Sequence, residues 1–167
     1  MFHPEYFVDT VFNIDYEQLK SIGVKHILID IDNTIVPFKN QLPTDRIKDF
    51  IEEGKSKGLD FCIVSNTFLD RVKRIGDCLD IPYISGAKKP SSKGVIKGMK
   101  LLNGTVNNTI LIGDQFCTDI IAAKRAGVRC ILVEPITTSD FFMTKIYRLI
   151  EWFFKRNFTK ENMKDEK

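Results

Sequence analysis

The stretch that decides the fold is His-Ile-Leu-Ile-Asp-Ile-Asp-Asn-Thr at residues 26–34. It opens with a short apolar run rich in β-branched side chains, which is typical of a buried strand. Two acids, Asp30 and Asp32, follow directly, and their spacing of two residues turns both side chains to one side while the strand lasts. The stretch therefore predicts a buried strand that ends in a pair of carboxylates.

Three similar apolar runs recur along the chain, separated by amphipathic segments with helical spacing. The runs cover residues 61–64, 109–112 and 130–133, a short strand is predicted at 82–84, and helices are predicted at 44–57, 68–79, 92–102 and 118–126. Strands that alternate with helices predict an α/β fold, here a three-layer α/β/α Rossmann-like sandwich with a mostly parallel sheet. Ligands bind such sheets beyond the carboxyl ends of the strands.

Composition narrows the classes of protein to consider. The chain has 167 residues, close to the length of one domain, and its 43% hydrophobic and 28% charged residues are ordinary for a globular protein. The net charge of +3 is mild and the aromatics are not interleaved with basic runs, so no nucleic-acid partner is expected. The four cysteines lack CxxC spacing and are interpreted as reduced structural thiols.

A second group of acids follows the run at 109–112. Asp114 and Asp119 lie at the predicted turn from this strand into the next helix, and carboxylate oxygens are ligands that suit Mg²⁺. We expect Asp114 to bind the metal directly and Asp119 to act through water. The pattern predicts a Mg²⁺ cofactor.

Acids at strand ends indicate a particular chemistry. A carboxylate can be the nucleophile in phosphoryl transfer, and a second one can protonate the leaving oxygen and then activate water. Asp30 and Asp32 fit these two roles, and a phosphate beside them needs a cation and a positive side chain. Ser65 and the backbone N–H groups at Asn66 are candidates to hold the phosphate, and Lys88-Lys89 offers the positive charge.

The order of these segments resembles the four motifs of the haloacid dehalogenase superfamily of phosphatases. The segments are DIDNT at 30–34, VSN at 64–66, KKP at 88–90 and GDQFCTD at 113–119. The resemblance implies a nucleophile at Asp30, an acid/base at Asp32, catalytic groups at Ser65 and Lys89, and metal ligation by Asp30, Asp114 and the backbone carbonyl of Asp32. Lys89 is preferred to Lys88 because the family's lysine often precedes proline, but the sequence leaves the choice to geometry.

More narrowly, the chain is similar to the YqeG-type phosphatases of subfamily IIIA, which lack a cap domain, and to phosphatidylglycerophosphate phosphatases. This implies a lipid phosphate monoester as substrate. Phe38 departs from the tryptophan of many relatives and affects the loop beyond the first motif, which bears on specificity. Two alternatives stay open: a soluble phosphatase of protein, nucleotide or nucleic-acid phosphates, and a non-catalytic partner-binding module.

The boundaries predicted from the sequence are a phosphatase domain at 1–138 with an N-terminal helical segment, an amphipathic helix at 139–158 and a frayed tail at 159–167. The apolar face within 141–158 is expected to pack either on the core or on a membrane surface. Because no signal peptide and no spanning segment is predicted, we expect a cytoplasmic protein, with peripheral attachment at the inner membrane face as the alternative.

Overall fold

The computed structural model describes residues 3–136. The predicted helix at 139–158 and the tail at 159–167 lie outside the described residues, so those boundaries stay predictions. Within residues 3–136, no helix is long and apolar enough to cross a bilayer.

The described part of the chain is built on one six-stranded sheet, in the spatial order β1-β6-β5-β2-β3-β4. Every neighbouring pair of strands in it is parallel. The strands are β1 (Tyr6–Val8), β2 (His26–Ile29), β3 (Asp60–Val64), β4 (Tyr83–Ile84), β5 (Thr109–Gly113) and β6 (Arg129–Val133). The predicted α/β sheet is confirmed.

Helices cover both faces of this sheet. They are α1 (Tyr16–Ser21), α2 (Asp45–Ser56), α3 (Leu69–Leu79), α4 (Lys93–Leu101) and α5 (Ile121–Ala126). α1, α2 and α3 contribute buried residues to one apolar cluster, and α4 and α5 to a second. The two clusters are the two helix-to-sheet interfaces of a three-layer sandwich.

Alternation along the central strand explains why both faces are apolar. Ile27 and Ile29 belong to the first cluster and Leu28 to the second, and all three are fully buried. Successive side chains of a strand point to opposite faces, so a strand covered on both sides needs an unbroken apolar run. Each such side chain contributes about 1.5–3 kcal/mol by its burial.

The sequence analysis missed strand β1, although it expected helix near the N-terminus, where α1 lies. It pairs with β6 and is held at its start by Glu5, whose carboxylate accepts hydrogen bonds from the Lys124 ammonium at 2.5 Å and the Cys130 N–H at 2.6 Å. β1 has only three residues, so the alternation of its side chains is too short to identify a strand from the sequence.

No cap domain is inserted in the described residues. The segment between β2 and α2 contains only residues 30–44, with one short bridge between Asp32 and Val36, and β3, α3 and β4 follow one another closely. As far as residues 3–136 are concerned, the carboxyl edge of the sheet, where a cap would close over a ligand, is therefore open.

Gly98 allows α4 to lie close to the sheet. A Cβ atom added there would come within 2.7 Å of Val64 Cγ2 and 3.2 Å of Leu28 Cδ2. We expect Gly98→Val to lower the free energy of unfolding by about 1–3 kcal/mol through overpacking. Denaturant unfolding measures this, with Lys97→Ala on the exposed face of the same helix as the control. Equal stability of the two variants would contradict the packing described here.

Candidate active site

The carboxyl ends of three adjacent strands bring the predicted site residues to one edge of the sheet. Asp30 follows β2, Ser65 follows β3 and Asp114 follows β5, and all three residues are buried. Backbone pairing continues one residue past the strand, since the Asp30 N–H donates to the Ile112 carbonyl at 2.9 Å. The sheet register itself therefore fixes the relative positions of these side chains.

At the centre of this edge lies the ammonium of Lys89. Its Nζ donates hydrogen bonds to Asp30 Oδ1 at 2.7 Å and to Asp119 Oδ1 at 2.5 Å, and the lysine side chain is only 2% exposed. Burial disfavours the ammonium, but the carboxylates of Asp119 and Asp30 outweigh it and raise the pKa of Lys89. The neighbouring Lys88 is exposed, so Lys89 is the lysine that faces the acids.

Asn66 holds the backbone on which this lysine is carried. Its side-chain amide donates to the Lys89 carbonyl at 3.0 Å and its amide oxygen accepts from the Lys89 N–H at 2.7 Å. The Ser65 hydroxyl oxygen accepts from the Thr67 N–H at 3.2 Å. The predicted contacts of Ser65 and Asn66 with phosphate stay predictions. In the structure the Asn66 side chain joins the end of β3 to the segment that carries Lys89, while the Ser65 side chain bonds within its own loop.

The three buried carboxylates of Asp30, Asp114 and Asp119 each offer one oxygen atom within 4.8 Å of the others. Burial, opposed by Lys89, raises the pKa of Asp30 to about 6. Burial and the charges of Asp119 and Asp30 raise the pKa of Asp114 to about 8, against a hydrogen bond from Thr34. One lysine offsets only part of this negative charge.

This donor set fits a hard divalent cation. Mg²⁺ prefers carboxylate oxygens, and a cation near these buried carboxylates would favour their charged form and reduce the repulsion between them. The structure brings Asp30 and Asp114 together as predicted, while Asp119 is bound to Lys89. The side chain of Asp32 lies outside this cluster, which leaves its backbone carbonyl as the predicted ligand.

Asp32 is bound by two side chains that the sequence analysis did not single out. Arg71 donates to Asp32 Oδ1 through Nε at 3.0 Å and through Nη2 at 2.8 Å, and the Thr67 hydroxyl donates to Oδ2. Arg71 also donates to the carbonyls of Pro37 and Asn40, so it fastens the 30–44 segment to α3. The only sequence signal was an arginine one helical turn after Thr67, which is too common to be informative.

The geometry of the fourth segment comes from Gly113 and a π-helical turn. A π-helical turn at Phe116–Ile120 carries Asp119 back over the strand end, where its Oδ2 accepts from the Gln115 N–H at 3.1 Å. The Asp119 carboxylate lies against Gly113, in the space that a Cβ atom would occupy. Thr34, also missed from sequence, donates to Asp114 Oδ1 at 3.1 Å.

The four cysteines, all within the described residues, form no disulfide with one another, and Cys62 and Cys130 are buried in the strands as predicted. Burial raises the pKa of the Cys62 thiol to about 12, which keeps it protonated and unreactive at neutral pH.

Sequence comparisons give a consistent set of relatives. A model of the haloacid dehalogenase-like hydrolases matches residues 5–127. The chain is 37% identical over 150 residues to a probable phosphatase, YqeG, of Bacillus subtilis, covering 90% of this chain and 87% of the relative. It is 26% identical over 164 residues to phosphatidylglycerophosphate phosphatase 1 of Arabidopsis thaliana, covering 92% of this chain but only 47% of that longer relative.

A further relative and one solved structure extend this picture. A phosphoglycolate phosphatase of Aquifex aeolicus is 32% identical over 125 residues, which cover 70% of this chain and 55% of the relative. Cobalt-bound deoxy-D-mannose-octulosonate 8-phosphate phosphatase from Haemophilus influenzae superposes with a TM-score of 0.56 at 15% identity, over 68% of this chain and 70% of that chain. At this identity the structural likeness establishes the fold alone.

The raised pKa of Asp114 makes the stability of the metal-free protein depend on pH. Between the ordinary carboxyl value of 3.8 and about 8, the folded form holds a proton that the unfolded form has lost. This contribution to stability is complete at low pH and is lost as the pH rises through 8. We therefore expect Asp114→Asn, which does not titrate, to gain stability relative to the parent as the pH rises.

Thermal unfolding in EDTA checks this expectation. The Tm of Asp114→Asn minus that of the parent protein should be larger at pH 8.5 than at pH 5.5, and the exposed Asp49→Asn serves as the matched control. The same difference at both pH values would show that Asp114 does not carry the proton.

Proposed function

The chain belongs to the haloacid dehalogenase-like hydrolases and is a phosphatase, and from that premise we propose that it hydrolyses a lipid phosphate monoester through an aspartyl-phosphate on Asp30. The observation that carries the proposal is the buried contact of the Lys89 ammonium with Asp30 and Asp119. It fixes a carboxylate in one orientation at the open edge of the sheet, as an attacking group requires. Because the chain is a phosphatase, the alternative of a non-catalytic partner-binding module is rejected.

In the first step, an Asp30 oxygen attacks phosphorus and the bond to the leaving oxygen breaks. Lys89 holds Asp30 Oδ1 at 2.7 Å, which restricts rotation of the carboxylate. The lysine also places a positive charge beside the entering phosphoryl group, where negative charge spreads over the oxygens in the transition state. Ser65 and the N–H groups after β3 would hold phosphate oxygens on the other side.

Asp32 is the proposed proton donor and acceptor. It gives a proton to the leaving oxygen in the first step, and it takes one from the water that attacks the phosphoryl group on Asp30 in the second. The second step releases inorganic phosphate and restores the Asp30 carboxylate. Because Arg71 and Thr67 both bind the Asp32 carboxylate, these contacts must loosen or be exchanged when Asp32 carries the proton.

Mg²⁺ would be held by Asp30, Asp114 and the backbone carbonyl of Asp32. Asp119, whose carboxylate is bound by Lys89, would contact the ion through a water molecule. Bound there, the ion would lower the repulsion between the carboxylates and an incoming phosphate and would stabilise charge in the transition state. The Thr34 hydroxyl donates a hydrogen bond to Asp114 Oδ1 at 3.1 Å, which fixes the orientation of the Asp114 carboxylate.

Two observations support a lipid as substrate. The site has no cap among residues 3–136, so a small metabolite would not be enclosed and the substrate's own bulk has to complete the pocket. In addition, 92% of the chain aligns with phosphatidylglycerophosphate phosphatase 1 of Arabidopsis thaliana. A soluble substrate is the second candidate, since the phosphoglycolate phosphatase of Aquifex aeolicus is 32% identical.

We place the protein on the cytoplasmic side, with peripheral attachment to the membrane as part of the proposal. The predicted helix at 141–158 would provide that attachment, although it lies outside the described residues. Co-sedimentation of the full chain with anionic liposomes, compared with a chain that ends at Ser139, tests this step separately from catalysis.

Replacement of the nucleophile gives a direct test of the chemistry. We expect Asp30→Asn to lower Mg²⁺-dependent hydrolysis of para-nitrophenyl phosphate by about a thousandfold or more, because a carboxamide cannot form the acyl-phosphate. The exposed Asp77→Asn is the matched control and should keep its activity. Retention of substantial activity by Asp30→Asn, with the metal present, would refute the assigned role.

The substrate class is tested by a panel. Phosphate release from phosphatidylglycerophosphate, phosphatidic acid, nucleotides, phosphoglycolate and phosphopeptides should show the highest kcat/KM for a lipid, by about tenfold over the soluble compounds. Equal or higher kcat/KM for a soluble compound would exclude the lipid assignment and leave the phosphatase chemistry intact.

A further inference from the structure

An open groove of about 350 Å³ lies directly beside the catalytic carboxylates. Its walls are the loop that follows β3 and the segment that follows β4. The lining residues are Asn66, Thr67, Phe68, Leu69, Ser85, Gly86 and Lys88. Two of them touch the site: Thr67 donates to Asp32, and Asn66 is bound to the backbone of Lys89. A group attached to a phosphate at the site can therefore extend into the groove.

One wall of the groove is apolar and exposed to water. Phe68 is 89% exposed and Leu69 is 55% exposed, although α3 already packs on the sheet through Val72, Ile75 and Leu79. Packing of α3 on the sheet therefore does not depend on these two side chains. Adjacent exposed apolar residues at the mouth of a site are typical of a surface that binds an apolar ligand.

Two further exposed apolar residues lie in the segment that Arg71 joins to α3. Phe38 is 58% exposed and Leu42 is 52% exposed, both in the segment between β2 and α2. Arg71 fixes this segment next to the start of α3 through its hydrogen bonds to the carbonyls of Pro37 and Asn40. The segment that carries these two exposed apolar residues is thus fastened to α3, at whose start Phe68 and Leu69 lie.

The other wall of the groove carries a positive charge. Lys88 is exposed, and within residues 3–136 no carboxylate lies within ion-pair distance of its ammonium. The lysine beside it, Lys89, is already bound by Asp30 and Asp119. Lys88 is therefore available to a negatively charged group of a ligand that extends into the groove.

We propose that this groove is the leaving-group subsite, and that it takes the part of a lipid phosphate monoester that carries both apolar chains and a second negative charge. Phe68 and Leu69 contact the apolar part, and Lys88 binds the second anionic group. This assignment rests on the proposed function and adds the residues that select the substrate. An uncharged leaving group would leave Lys88 without an anionic partner. A purely polar one would leave Phe68 and Leu69 without an apolar contact.

The test uses the full chain with Mg²⁺ and short-chain lipids that stay monomeric in solution, so that adsorption to a surface does not contribute. The substrates are the dihexanoyl forms of phosphatidylglycerophosphate and phosphatidic acid, with acetyl phosphate as the compound whose leaving group is too small to fill the groove. The readout is the ratio of kcat/KM for each lipid to kcat/KM for acetyl phosphate.

For the apolar wall, we expect Phe68→Ser combined with Leu69→Ser to lower both lipid ratios by about tenfold or more. The matched control is Leu101→Ser combined with Val106→Ser. These apolar residues are also exposed, but they lie at the end of α4 and before β5, at the opposite edge of the sheet. The control should leave both ratios unchanged.

For the charged wall, Lys88→Gln should lower the ratio for phosphatidylglycerophosphate, which has a second phosphate, about tenfold more than the ratio for phosphatidic acid, which has one. Lys100→Gln, an exposed lysine at the far end of α4, is the control. An equal effect of Lys88→Gln on the two lipids would overturn the assignment of Lys88.

The outcomes separate the groove from the proposed function. Unchanged lipid ratios in the Phe68/Leu69 variant, in a parent protein that still prefers lipids, would overturn the subsite and leave the lipid assignment standing. A loss seen with vesicles but not with monomeric lipids would overturn it in favour of membrane docking by this rim. A parent protein that prefers acetyl phosphate to both lipids would refute the substrate class itself.

Discussion

The contact on which the whole site depends is the buried ion group of Lys89 with Asp30 and Asp119. An ammonium that is 2% exposed is stable in a protein interior only with carboxylates bound to it, and here there are two, at 2.7 and 2.5 Å. Asp114 lies in the same cluster, but the Lys89 ammonium donates its hydrogen bonds to Asp30 and Asp119. Burial, together with the charges of Asp119 and Asp30, raises the pKa of Asp114. A divalent cation bound at this cluster would favour the charged carboxylates.

This group is held together by elements that are distant in sequence. Register between parallel strands places Asp30 beside β5, and the side-chain amide of Asn66 fixes the backbone of Lys89. Gly113 leaves the space in which the Asp119 carboxylate lies. Each support acts on the position of a charged group, so a small change in packing would alter the electrostatics of the site. The open edge of the sheet then leaves substrate selection to the surrounding loops.

Sequence alone predicted β2 to β6, including the two-residue β4, and α2 to α5, and it predicted which side chains follow each strand. These two predictions suffice to locate the site, because the carboxyl ends of parallel strands lie at one edge of the sheet. It missed β1, which is three residues long, and it left Lys88 against Lys89 open, because adjacent lysines differ only in how the backbone turns. Arg71 was missed for a similar reason: its contacts with Asp32 and the 30–44 segment arise from tertiary packing, which one helical arginine does not signal.

We propose that Lys89 and its carboxylate partners hold Asp30 as the group that accepts the phosphoryl. The most direct measurement is a rapid acid quench during turnover with Mg²⁺, followed by borohydride reduction of any acyl-phosphate and peptide mass spectrometry. We expect substrate-dependent reduction of a single aspartate, Asp30, to homoserine. Turnover with no reduced residue, or with reduction at another acid such as Asp114, would contradict it.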